Sequence, residues 1–352
     1  MYIKKYFIYM LLILVCVACS SAKEPDPTPE EEEEEKTFIK AEEVLGVPKS
    51  GLPWHSGAWT PGKDGHTVEN IREFEVWRGR PLDISTVYCN YSGVLGNISN
   101  SDWNFSYPGP NRRLSVGVPI AGSDISVSQV NTGEADHLFE AVALLLVQNN
   151  RKDAIIRIGW EADIPNNWAW HRNVDNCEEY KQVWRRIRNI FHKHSDQFVF
   201  TFEGSIGSRL EGASDNEAWL RLAYPGDDVV DLIGCDTYNF YHTKVMPDGS
   251  GWDTVLNPSW GLGLQDVADF ARARKKGLIL PEWGIHGGEH GPGDVPQYIE
   301  YMFNFFKNNA DIMAAECYFN EYDSYIQCAL WTDGQPEQNP KSAARYLQLF
   351  GK

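Results

Sequence analysis

The sequence predicts an α/β fold, a (β/α)8 barrel of the TIM type in a single domain, on two observations. Eight short apolar runs with strand character alternate with segments of helical period. They do so from residue 37 to residue 352 without a second linker or an internal repeat. An open doubly wound sheet is the rival arrangement. Eight evenly spaced runs favour closure.

Before the barrel come two segments of different composition. Residues 1–18 carry Lys4 and Lys5, then an apolar run from Tyr6 to Val17, then Ala18 ahead of Cys19. A charged start, a short apolar middle and a small residue before the break form an export signal, too short to span a membrane comfortably. Residues 19–36 hold three prolines and six consecutive glutamates, Glu30 to Glu35. So polar a stretch cannot bury a core and is expected to act as an extended, self-repelling tether.

The barrel strands are expected at 57–60, 84–90, 114–120, 154–161, 198–203, 230–238, 277–283 and 313–319. Helices are expected at 134–149, with Leu138, Val142, Leu145 and Leu146 on one face, and at 177–194, with Tyr180, Val183, Trp184, Ile187 and Phe191. Further helices are expected at 264–276, at 295–308 with Asp294 as N-cap, and at 340–349, packing back on the barrel.

The chain has a formal net charge of −17. Residues 37–352, without the eight acids and four bases of the leader, still carry −13. Nucleic acid is therefore an unsuitable partner. Cys89, Cys177, Cys235, Cys317 and Cys328 form no C-x-x-C pair and are expected as buried small hydrophobes, with no disulfide scaffold.

Two segments carry the chemistry. Ile155-Ile156-Arg157-Ile158-Gly159-Trp160-Glu161 and Gly277-Leu278-Ile279-Leu280-Pro281-Glu282-Trp283-Gly284 each end a buried-strand pattern on a glutamate. In a parallel barrel the C-terminal strand ends surround the active site. Alternation puts Arg157, Gly159 and Glu161 on one face, and Leu278, Leu280 and Glu282 on one face. With Asp236 and Tyr238 from the sixth strand, Arg157, Glu161 and Glu282 can converge on one cleft. Paired carboxylates beside tryptophans, whose faces stack on pyranose rings, suit cleavage of a glycosidic bond. Trp168 and Trp283 are expected to touch sugar, and His286 to reach substrate.

Arg157-x-Gly159-Trp160-Glu161 followed by Trp168-Ala169-Trp170 resembles the acid/base strand of glycoside hydrolase family 26. Asp231 to Tyr238 is similar to its sixth strand, and Pro281-Glu282-Trp283-Gly284 to its nucleophile strand. The resemblance implies a retaining mechanism on a β-linked polysaccharide, with Glu161 as acid/base and Glu282 as nucleophile. Arg157, Trp160, Trp168, Asp236, Tyr238, Trp283 and His286 would line the substrate site. It implies no cofactor and no metal, and a monomer is expected. β-Mannanases of the family usually have His before the acid/base glutamate and Asn-Gly after it. Here Trp160 precedes Glu161 and Ala162-Asp163 follows. β-Mannan is thus a default, with β-glucan or β-xylan open.

Cys19 after Ala18 resembles a bacterial lipobox. That implies lipidation of Cys19 and anchoring to the cell envelope, on the outer membrane and with the cell surface as one possible face. Two alternatives use the same residues differently. One is a surface glycan-binding lipoprotein without catalysis. The other is a zinc peptidase, because His286-Gly287-Gly288-Glu289-His290 matches H-x-x-E-H. That motif needs a helix to align its histidines, and the flanking glycines oppose one.

Overall fold

A computed structural model describes residues 41–164 and 172–352. The export signal, Cys19, the acidic tether, Trp168 and Trp170 lie outside the described residues.

Eight parallel strands close into a barrel in sequence order. They are β1 (His55–Trp59), β2 (Ile84–Tyr88), β3 (Arg113–Val118), β4 (Ile155–Ile158), β5 (Val199–Ser205), β6 (Leu232–Tyr238), β7 (Gly277–Gly284) and β8 (Met313–Phe319). β8 pairs back on β1 from His55↔Ala315 to Trp59↔Phe319, which removes both sheet edges. Long helices cover the outside, among them Asp136–Gln148, Cys177–His194, Leu264–Ala273, Pro296–Asn308 and Pro340–Phe350. Among the described residues no helix is long and apolar enough to cross a membrane.

The core divides by strand face. Ile84, Ile155, Val199, Leu232 and Ile279 meet inside the barrel, with Leu45 packed against them. Their neighbours along each strand, such as Val87, Ile156, Phe200, Ile233 and Leu278, join the larger cluster beneath the helices. All five cysteines of the barrel are buried and free.

Asp294 departs from its expected role. Val295 is the N-cap of Pro296–Asn308, whose first helical position is Pro296. Asp294 instead accepts the backbone N–H groups of Lys341 and Ser342, at 2.9 and 2.8 Å. It thereby satisfies orphan donors in the first turn of the last helix and ties the β7 connection to it.

Two irregularities decide where the glutamates point. β4 ends at Ile158, three residues earlier than expected. Gly159 follows with φ 63° and Glu161 with φ 53°, both left-handed. A Cβ at position 159 would meet Ile120 Cγ2 at 3.2 Å as well as adopting a conformation that glycine tolerates best. Glu161 therefore reaches the barrel mouth from a turn, not through strand alternation.

β7 breaks alternation differently. Its register with β6 runs Gly234↔Ile279 and then Asp236↔Glu282, with one extra residue on β7. Ile279 faces the barrel interior, whereas Leu278 and Leu280 face the helices. The shared face expected for Leu278, Leu280 and Glu282 is thus wrong. The bulge at Pro281 turns Glu282 inward, and proline suits a bulge because it has no N–H to give the ladder. The Pro281 carbonyl is met inside the barrel by Thr86 Oγ1 at 3.3 Å.

Candidate active site

The strand ends surround a cleft of about 1480 Å³. Glu161, Asp236 and Glu282 open on it, and their nearest carboxylate oxygens all lie within 4.8 Å of one another. Packing three like charges so closely requires a cation or protons.

Arg157 supplies the cation from below. It is completely buried on β4, and its planar fork serves three acids at once. Nε donates to Glu203 at 2.9 Å, Nη2 to Asp236 at 2.7 Å and Nη1 to Glu282 at 2.6 Å. Arg157 does not line the cleft. Its expected contact with substrate is therefore corrected: it positions the carboxylates. It already supplies charge to two of the three acids whose spacing would also suit a metal ion.

One cation cannot balance every acid here, so protons stay on some of them. Burial pushes Glu203 up to about 7 despite the pull of Arg157. Burial, reinforced by Glu282 and Glu203, holds Asp236 well above the usual carboxylate range. Burial and then the nearby Glu282 charge do the same to Glu161.

Glu282 sits in a different setting. It accepts Arg157 Nη1 and Tyr88 OH on Oε1, both at 2.6 Å, and Tyr238 OH on Oε2 at 2.9 Å. Burial and the Glu282 charge raise both tyrosine hydroxyls well above their normal range, so both remain donors. Charge-assisted bonds of this kind fix both oxygens of the carboxylate in place.

The other predicted residues divide. Trp160 lines the cleft against Tyr88, with ring centroids 5.4 Å apart. Tyr238 and His286 line it too, and His286 stacks on Phe240 at 5.5 Å and 9°. Trp283 does not. It is fully buried on the outer face of β7 between Tyr318, Phe306 and Phe350. Its indole N–H donates to Glu316 at 2.6 Å. Its expected contact with sugar fails because it follows an inward residue on a strand. Trp168 lies outside the described residues.

Two further acids at the strand ends, Asp163 and Glu321, have structural partners. Asp163 accepts Ser205 N–H, Ser205 Oγ and Ser208 Oγ, which pins the end of β5. Glu321 accepts the Trp59 indole N–H at 2.7 Å. The segment from His286 to His290 is an irregular loop, and the Glu289 side chain is 87% exposed. Its histidines lack the helix that a zinc-peptidase motif needs.

The sequence reading missed Tyr88, Trp59, Phe240 and Phe319, all on the cleft wall. Tyr88 had a usable signal: it follows Ile84 and Thr86 on the inward face of β2.

The model for Glycosyl hydrolase family 26 matches residues 85–269, more than half of the chain. The chain belongs to this family. That match takes in Glu161 and Asp236 and stops short of Glu282. A "Beta-1,3-xylanase" from Alcaligenes sp is 22% identical over 283 residues, 69% of this chain and 54% of its own length. A "Mannan endo-1,4-beta-mannosidase" from Bifidobacterium adolescentis is 27% identical over 172 residues, 46% of this chain and 16% of its own. The chain spans about half the length of the β-1,3-xylanases it matches. Among solved structures, the family 26 β-mannanase BoMan26A of Bacteroides ovatus superposes with TM-score 0.55 at 16% identity, covering 89% of this chain and 92% of that one. These superpositions carry the barrel fold of family 26.

Proposed function

We propose that the protein is a retaining glycoside hydrolase that cleaves a β-linked polysaccharide by double displacement. The observation that carries this reading is the pair Glu161 and Glu282, which bring one carboxylate oxygen each to within 4.8 Å and sit in unlike surroundings. Retaining pairs stand about 5–5.5 Å apart, whereas inverting pairs need about 6.5–9.5 Å to admit water.

Glu161, held protonated by burial, donates its proton to the glycosidic oxygen as that C–O bond breaks. A Glu282 oxygen attacks the anomeric carbon and forms a glycosyl ester. Glu161, now a carboxylate, takes a proton from water. That water attacks the same carbon and frees Glu282. Arg157, Tyr88 and Tyr238 hold both oxygens of Glu282 in place. Trp160 offers its face to the sugar.

Relatives carry mannanase, β-1,3-xylanase and endoglucanase names, which supports β-glycans as the substrate class. β-Mannan is the first choice. Reducing-sugar release from β-mannan, β-1,3-xylan and β-glucan tests the reading, with Glu161→Gln and Glu282→Gln as controls. Activity on one polymer that both substitutions abolish is the expected result. Full activity in Glu282→Gln contradicts it, and glycan binding without any release supports a non-catalytic role instead. Residues 1–36 extend the proposal to a lipid anchor at Cys19 on the bacterial envelope. A palmitate label in the wild type that Cys19→Ala lacks is expected, and no label in either contradicts it.

A further inference from the structure

The cleft wall around the two carboxylates is rich in aromatic side chains, among them Trp59, Tyr88, Trp160, Tyr238 and Phe240. Among the described residues, the exposed large aromatic side chains are Trp103, Tyr241, Trp260 and Tyr325. Single exposed apolar residues are ordinary. Tyr241 and Tyr325 line the cleft itself, whereas Trp103 and Trp260, 53% and 48% exposed, stand just outside its lining, one next to Asn104 and the other against His242.

Trp260 rides on a loop laced to the end of β5. Gly207 N–H donates to Leu262 O and Leu262 N–H to Ser208 O, both at 2.7 Å. Gly261 N–H donates to Asn216 Oδ1 at 3.0 Å. A Cβ at Gly261 would lie 2.5 Å from Gly207 O, and its φ is +90°, so glycine alone permits this approach. Gly207, Ser208 and His242 line the cleft, and His242 stands edge-on to Trp260 at 5.4 Å.

Trp103 is mounted on the short helix Asp102–Ser106. It stacks on Tyr107 at 4.8 Å and 28°. His66 bridges the gap to the cleft, 6.4 Å from Trp103 and 4.3 Å from Trp59. Trp59 is 5.3 Å from Tyr88, which bonds Glu282. Asn104, next to Trp103, lines the cleft and donates to Tyr88 O at 2.6 Å.

Trp103 belongs to the β2–β3 connection and Trp260 to the β6–β7 connection. In a closed eight-strand order these positions face each other across the barrel. We propose that Trp103 and Trp260 are outer sugar-stacking subsites on opposite sides of the scissile bond, so that the protein engages a linear β-glycan along its interior and cuts within the chain. This rests on the glycosidase reading for the cut, but the two subsites can be tested without it. The faces of pyranose rings are apolar C–H surfaces that match fixed indole faces, and rigid mounting removes the ordering cost of binding.

The test uses labelled β-1,4-mannohexaose, β-1,3-xylohexaose and cellohexaose with the corresponding trisaccharides. Binding is measured by calorimetry in Glu282→Gln, alone and with Trp103→Ala or Trp260→Ala, and melting curves confirm that each variant is folded. Each tryptophan substitution should weaken the best hexasaccharide about tenfold more than its trisaccharide, a change of ~1.4 kcal/mol. Trp→Phe, which keeps an aromatic face, should restore most of the loss. With the wild type, early products should arise from internal bonds.

Equal losses on hexasaccharide and trisaccharide, no hexasaccharide binding, or release of units from one end only would each overturn the proposal. Binding that depends on both tryptophans without any hydrolysis would sustain the subsites while removing the glycosidase reading.

Discussion

The tops of β4 and β7 each deliver one glutamate to the same cleft, and they do so by opposite means. β4 stops early, and two left-handed residues swing Glu161 over the mouth. β7 continues, and a bulge at Pro281 rotates Glu282 inward within the strand. A turn gives Glu161 a partly open position on the cleft wall, next to Trp160. A strand gives Glu282 a fixed address, met by Arg157, Tyr88 and Tyr238. Proton transfer needs a group that holds and then loses a proton, whereas nucleophilic attack needs a carboxylate that stays charged and aimed. The proposed division of labour rests on these two backbone irregularities.

The largest expected effect separates the two roles. Glu282→Gln should cost at least about 10⁴-fold in kcat/KM on every glycoside tested. Glu161→Gln should cost about 10²–10⁴-fold on natural glycans. Its effect should be far smaller on formation of the glycosyl-enzyme from a 2,4-dinitrophenyl glycoside, whose leaving group needs no proton. A burst of dinitrophenol from Glu161→Gln checks this. Equal losses on both substrate types would erase the distinction.

The next test removes what the two glutamates share. Arg157→Met leaves Glu203, Asp236 and Glu282 buried without their cation. Stripping one side of a buried ion network should destabilise the fold by about 3–5 kcal/mol, measured by urea unfolding. A destabilisation below ~1 kcal/mol would mean that the acids are largely protonated without it.

Behind β7 the expected effect is smaller and depends on pH. Glu316 is fully buried and holds the Trp283 indole; burial pushes its pKa up to about 7. A raised folded-state pKa means that the native protein binds this proton while the unfolded chain has lost it. Stability should therefore fall as pH rises from about 4.5 to about 7, by ~3 kcal/mol from this group. Glu316→Gln should flatten that part of the wild-type profile, and an unchanged slope would assign the dependence to the cleft acids.

The finest test is Tyr88→Phe, which deletes one donor to Glu282. It should lower kcat/KM by about tenfold, the worth of one hydrogen bond to a charged group, with little change in KM. An unchanged kcat/KM would mean that the Tyr88 hydroxyl does not help to hold Glu282.

How much of this was legible in the sequence depends on whether a regular period carries it. The eight strands and the helix Cys177–His194 follow from apolar spacing, because buried strands and amphipathic helices have fixed periods. Glu161 and Glu282 were legible as strand-end acids, but the reason given for their direction was wrong at both places. Simple alternation cannot see a strand that stops at Ile158 or a bulge at Pro281. Applied consistently from Glu282 it would have turned Trp283 outward, yet the aromatic character of that residue suggested sugar. The Asp294 contact joins residues 47 and 48 apart. No local N-cap pattern contains that information. Tyr88 was hidden for the opposite reason: its strand was recognised, but a tyrosine on it carries no motif.

The central claim is that Glu282 attacks the sugar while Glu161 moves the proton. It is tested most directly by the configuration of the first product, followed by proton NMR from the earliest seconds of hydrolysis of the glycan the wild type cleaves. Double displacement predicts that the new reducing end appears first as the β-anomer and only later mutarotates. A first product with the α-configuration would mean single displacement by water, and would contradict the assignment of Glu282 as nucleophile.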